Sequence, residues 1–119
     1  MKVHLVAVPF KSAKWFIVNV DRFAARHKIT RSQVIKQAIS EMLSNNIDVT
    51  NIDDRETLRG DKVLCTVKMR DEMLQKLDDY AMQHRLTRSE TIRRAVLYYL
   101  SKHEKEDPPI RIRVEYLRI

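Results

Sequence analysis

A chain with one glycine in 119 residues has almost no easy way to place a left-handed turn. The same scarcity excludes a glycine-rich phosphate cradle. Cysteine is as rare: Cys65 stands alone, so neither an intrachain disulfide nor a cysteine-rich metal site can form. A lone thiol suits a reducing compartment, and a cytoplasmic setting is expected. No apolar run approaches the roughly 20 residues of a membrane helix, so no membrane partner is expected. The opening MKVHLVAVPFK has too short an apolar part for a signal peptide. No catalytic constellation is visible, so the chain reads as no enzyme, with no small-molecule substrate and no cofactor. His27 and His84 fall near helix C-termini, where a cation is favoured, and too few ligands surround them for a metal site. Asp78-Asp79 reads as helix surface, Asp53-Asp54 as linker, and Trp15 and Phe16 as core or interface.

Acid is also in short supply. There are 23 Lys+Arg against 16 Asp+Glu, for a net charge of +7. Residues 1–44 hold eight Lys/Arg and two acids, a net +6. A basic first third suits a polyanion partner, nucleic acid above all, although a solvated basic face would have the same composition.

What the chain has in abundance is itself. Shifting residues 21–44 by 57 onto 78–101 gives ten identities in 24 positions. They include His27/His84, Ile35/Ile92, Ala38/Ala95 and the whole of Thr30-Arg31-Ser32 against Thr87-Arg88-Ser89. A fixed offset of this kind means one supersecondary unit used twice. In the second copy, KVLCTVKM (62–69) alternates like a strand, with Val63, Cys65, Val67 and Met69 on one face. Met73, Leu74, Leu77, Tyr80 and Ala81 then recur at helical spacing, behind Asp71 and Glu72 at the favoured acidic end. Thr87-x-x-Glu90 is a capping box that opens a second helix with Ile92, Ala95, Val96, Tyr99 and Leu100 as its stripe.

The first copy repeats the order: a helix over about Ser12–Arg26, then Thr30-x-x-Gln33 and a stripe of Ile35, Ala38, Ile39, Met42 and Leu43. Its strand is expected at 2–8, because the ungapped offset would set Pro9 at the ladder position of Thr66, where proline cannot donate. The domain plan is a first repeat at 1–44, a linker at 45–61, a second repeat at 62–102 and a strand-like tail at 103–119. Within the linker, Ile47, Val49 and Ile52 hint at a short extended piece.

The strand LCTVKM, followed after one intervening helix by Leu86-Thr87-Arg88-Ser89, resembles the ribbon-helix-helix family of DNA-binding transcriptional regulators. Ile29-Thr30-Arg31-Ser32 repeats that helix opening in the first copy. Similar tandem proteins occur among plasmid-transfer and archaeal viral regulators. The resemblance covers roughly residues 2–44 and 62–102. It implies a mainly α fold with a two-stranded antiparallel ribbon: two tandem repeats packed as a pseudo-dimer in one chain. One departure is Lys28 and Arg85 at the bend between helices, where the family often has glycine. If that bend is left-handed, each would cost on the order of 1 kcal/mol.

The implied partner is double-stranded DNA, with the ribbon in the major groove. The expected base-reading residues are Lys62, Leu64, Thr66 and Lys68 in the second copy and Lys2, His4 and Val6 in the first. Thr30, Arg31, Ser32, Thr87, Arg88 and Ser89 are expected to clamp phosphates at helix N-termini, which sets register without reading sequence. An alternative class is an antitoxin-type protein-interaction module with secondary DNA binding. In the tail, Ile110, Ile112, Val114 and Tyr116 alternate with charges. That face either folds back on the linker near Ile47–Ile52 or pairs with a neighbouring molecule and so drives self-association.

Overall fold

The alternation read in KVLCTVKM forms strand β2, Lys62–Arg70, whose Cys65, Val67 and Met69 are buried while Leu64, Thr66 and Lys68 are exposed. Its partner is β1, Leu5–Ala13, paired antiparallel within the same chain. The computed structural model describes residues 4–104, and these form four helices and this two-stranded sheet.

The position of β1 corrects the expected strand at 2–8. Pro9 lies mid-strand and faces Thr66, which is the ungapped offset after all. The ladder explains why this is harmless. Lys14 N donates to Asp61 O at 2.7 Å, and Asp71 N to His4 O at 3.3 Å, one step beyond either end of the pairing. Hydrogen-bonded and non-bonded pairs alternate in an antiparallel ladder. Val6·Met69, Val8·Val67 and Phe10·Cys65 therefore exchange the bonds, and Pro9·Thr66 is a non-bonded pair. The ring nitrogen of Pro9 points away from β2, so no ladder bond is lost. The extra helical turn expected at Ser12 is absent: Ser12 and Ala13 complete the strand, fully buried, and α1 spans Lys14–Arg26.

Helices α2 (Arg31–Ser44), α3 (Asp71–Gln83) and α4 (Arg88–Glu104) complete the set. β1 and α1 superpose in numbering on β2 and α3 at both ends when 57 is added. α2 and α4 share their start, and α4 continues to Glu104 where the offset would stop it at Ser101.

The bends at Lys28 and Arg85 are left-handed, at φ 57° and 58°. Each closes its helix with a paired motif: Ile29 N donates to Ala24 O at 3.0 Å and Leu86 N to Ala81 O at 2.8 Å, with Lys28 N on Ala25 O and Arg85 N on Met82 O. Carbonyls that would be orphaned at the helix end are satisfied, which offsets the φ cost. One core lies under the ribbon: Val8, Phe10, Val67 and Met69 meet Phe16, Val20, Phe23, Ile35, Ile39, Met42, Leu77, Ile92 and Val96. Each such side chain contributes roughly 1.5–3 kcal/mol by burial.

The linker is more structured than expected. No strand forms at the short extended piece expected near Ile47, Val49 and Ile52, and beyond it the linker forms a short 3-10 helix, Arg55–Leu58. The Tyr80 hydroxyl donates to Ile47 O at 2.6 Å and accepts from Val49 N at 3.0 Å, and Val49 is fully buried. The Asp53-Asp54 pair divides. Asp53 stays at the surface, where the Arg55 guanidinium lowers its carboxyl to about 2. Asp54 turns inward and binds Arg93 Nε at 2.9 Å and Arg94 Nε at 3.2 Å. Arg93 Nη1 also donates to Lys11 O at 3.0 Å, so α4, linker and β1 are tied at one buried point. The proposed tail face, Ile110, Ile112, Val114 and Tyr116, lies outside the described residues.

Candidate nucleic-acid interface

Side chains of non-bonded pairs share one face of an antiparallel ribbon and approach closely across it. Here that face points away from the core. Its opposed pairs are Leu5·Arg70, Ala7·Lys68, Pro9·Thr66 and Lys11·Leu64, all exposed, with exposed Lys62 beyond them opposite Ala13. Four cations, Lys11, Lys62, Lys68 and Arg70, stand on it, and none of its residues is acidic. Leu5 and Leu64, toward opposite ends of this face, are 60% and 68% exposed.

Of the residues expected to read bases, Lys62, Leu64, Thr66 and Lys68 come together on this face. Those of the first copy do not. Val6 points to the core side and packs against it, His4 is exposed just before the strand, and Lys2 lies outside the described residues. The shift of β1 brings Leu5, Ala7, Pro9 and Lys11 outward in their place. Sequence reasoning missed Lys11 and Arg70. The signal for Lys11 was present: under the offset of 57 it matches Lys68.

The six helix-opening residues are placed as expected, but several of their polar atoms are already engaged. Thr30 Oγ1 accepts from Gln33 N at 3.1 Å, and Thr30 N donates to Gln33 Oε1 at 2.8 Å. Thr87 and Glu90 repeat the box at 3.1 and 2.9 Å. Arg31 holds both oxygens of Asp21 at 2.7 Å, and Arg88 both oxygens of Asp78 at 2.8 Å. Asp78 is therefore a helix-tethering residue and more than helix surface. Its carboxylate raises the Arg88 guanidinium further above its ordinary value, as Asp21 does for Arg31. Each guanidinium has five N–H donors and gives two to its aspartate, so an added anion could still be bound. Ser32 and Ser89 are half-buried in the first turns of α2 and α4.

His27 stacks on Phe23 and His84 on Tyr80, with ring centroids 4.0 and 3.9 Å apart, which accounts for their repetition by packing. Burial pushes the Cys65 thiol up from its ordinary value. Among the described residues no group of three His, Cys, Asp or Glu could hold a metal ion, and no helix is long and apolar enough to cross a membrane.

No protein-family model matches the chain, and no solved structure does. Among curated proteins it is 29% identical over 101 residues to ORF189 of Acidianus two-tailed virus, described as a candidate zinc finger protein. That match covers 83% of this chain and 51% of ORF189, so the chain spans about half the length of that relative. It is 40% identical over 52 residues to ORF59b of Acidianus filamentous virus 1, an uncharacterized protein. Here the match covers 44% of this chain and 88% of ORF59b.

Proposed function

We propose that the chain, which belongs to one family with the uncharacterized viral protein ORF59b, is a sequence-specific regulator of transcription that binds double-stranded DNA. In this reading it consists of two tandem ribbon-helix-helix repeats packed as a pseudo-dimer, and it inserts the ribbon into the major groove. The duplication has support from ORF59b itself. A match of 52 residues nearly exhausts that protein and is close to the length of one repeat, as expected if one unit is the module used twice here.

The observation that carries the proposal is the outward ribbon face, with four cations, no acid and a proline–threonine pair at its centre. A two-stranded ribbon fits the major groove, where every base pair has a distinct donor and acceptor pattern. Lys11 and Lys68 flank the central pair on opposite strands and suit guanine O6 and N7. Thr66 can donate, accept or touch a thymine methyl, and Leu64 suits a methyl group. Arg31 and Arg88, each oriented by its aspartate, together with first-turn N–H groups, would hold flanking phosphates.

Zinc is not part of the proposal. A structural zinc site needs four ligands, and among the described residues, which include the single cysteine, no three His, Cys, Asp or Glu lie together to supply them.

Selection of bound duplexes from a random pool tests the reading. Enrichment of one sequence, with affinity falling steeply as salt rises, is the expected result. No enrichment over bulk duplex would overturn it in favour of the protein-interaction module.

A further inference from the structure

Helices α1 and α3 hold matching places in the two repeats, yet their outer surfaces differ in sign. Under the displacement of 57 the inward positions stay apolar: Phe16, Ile17, Val20, Phe23 and Ala24 answer to Met73, Leu74, Leu77, Tyr80 and Ala81. The outward stripe does not keep its character. On α1 it reads Lys14, Val18, Arg22 and Arg26, and at the same places on α3 it reads Asp71, Gln75, Asp79 and Gln83. Positions four apart share one helix face, and Gln75 Nε2 donates to Asp79 Oδ1 at 2.9 Å along it. Two exposed cations, Lys14 and Arg22, thus answer to two exposed carboxylates, Asp71 and Asp79. Taken whole, α1 sets Lys14, Arg22 and Arg26 against Asp21, for a net +2, and α3 sets Lys76 against Asp71, Glu72, Asp78 and Asp79, for a net −3.

The difference falls where it bears on a bound duplex. Lys14 follows directly on β1, at the ribbon end that also holds Lys11 and Lys62, whereas at the other end Arg70 is followed by Asp71 and Glu72. Arg22 adjoins Asp21, the anchor of Arg31, and Asp79 adjoins Asp78, the anchor of Arg88. Beside one helix opening stands a cation, and beside its counterpart an anion. Exposed charges interact over a Debye length of about 8 Å at physiological salt, so the neighbour of each anchor contributes to the field at that opening. On the reading of the ribbon as a DNA-binding face, we propose that the two repeats grip the duplex unequally. The first, with Lys14 and Arg22, binds the sugar-phosphate backbone flanking the ribbon on its side. The second, with Asp71 and Asp79, holds its flank weakly. Two identical repeats would grip both flanks alike, and the divergence of α1 from α3 makes the site one-sided.

Trimming the selected duplex from either end, with the full chain as binder, tests this. Loss of one flank is expected to weaken binding about tenfold, and loss of the other less than about twofold. Lys14→Asp with Arg22→Asp should abolish the difference and flatten the salt dependence by about two units. The reciprocal pair, Asp71→Lys with Asp79→Arg, should make the second flank as sensitive as the first. Each substitution installs the residue that the other repeat carries at that place, and circular dichroism reports whether the fold is kept. If the first pair does not fold, the reciprocal pair decides. Equal losses from the two ends would overturn the proposal and leave the DNA-binding reading standing. So would a one-sided loss that persists in the folded α1 variant, or a second flank that stays insensitive in the folded α3 variant. A chain that selects no duplex would overturn both.

Discussion

Asp54 is the residue on which the most buried charge depends. Its side chain is 8% exposed and that of Arg93 is 6% exposed. Breaking such a pair leaves an uncompensated buried cation, so Asp54→Ala is expected to cost about 3–5 kcal/mol in urea unfolding. Asp53→Ala, one position away and at the surface, should leave the midpoint where it is. On the ribbon, Lys11→Ala and Lys68→Ala should each cost about 1–3 kcal/mol on the selected duplex and much less on random DNA. Equal losses on both in a titration would mean that the ribbon does not read bases. The two lysines are expected to behave alike because they occupy matching places on the two strands.

At the scale of elements, the bends pose the clearest trade. Lys28 and Arg85 sit at φ 57° and 58°, where a side chain is strained and glycine is not. Lys28→Gly should stabilise the fold by about 1 kcal/mol, and Arg85→Gly by a similar and additive amount, since the bends do not share partners. Thermal unfolding decides this, and a lower melting temperature in either variant would refute the strain account. The strands show how an element tolerates a residue that its rules forbid at first sight. Proline is excluded only where its missing N–H faces a partner strand, and in a two-stranded ribbon every second N–H faces outward.

For the whole molecule, β1 ends at Ala13 and β2 begins at Lys62, with two helices and the linker between them, yet the two strands complete one sheet without a second copy. Dilution into the nanomolar range should therefore leave the far-ultraviolet circular dichroism unchanged, and unfolding on dilution would contradict intrachain closure. Because the two strands differ, their ends differ as well: Lys62 and Arg70 on β2 answer to Leu5 and Ala13 on β1. Duplexes selected by this protein are accordingly expected to match at the two positions read by Lys11 and Lys68 and to be asymmetric elsewhere, since Thr66 and Leu64 answer to Pro9 and Ala7. A full palindrome would show that the outer cations do not read bases.

The order strand, helix, helix, met twice along the chain, and both capping boxes followed from sequence alone. Periodicity and capping are local, set by residues a few positions apart, and they act the same wherever the unit packs. Residues 62–69 revealed their outward face for the same reason. Pairing was not legible in this way. Whether Pro9 could lie in a strand depended on which of its neighbours across the ribbon exchanged hydrogen bonds, and that parity is fixed by the partner strand. The wrong parity exchanges Leu5, Ala7, Pro9 and Lys11 for Lys2, His4 and Val6, since one step of register reverses every side chain. The burial of Asp54 was equally out of reach. Its partners, Arg93 and Arg94, lie far along the chain on α4, and only tertiary packing made a linker carboxylate the counter-ion of two arginines.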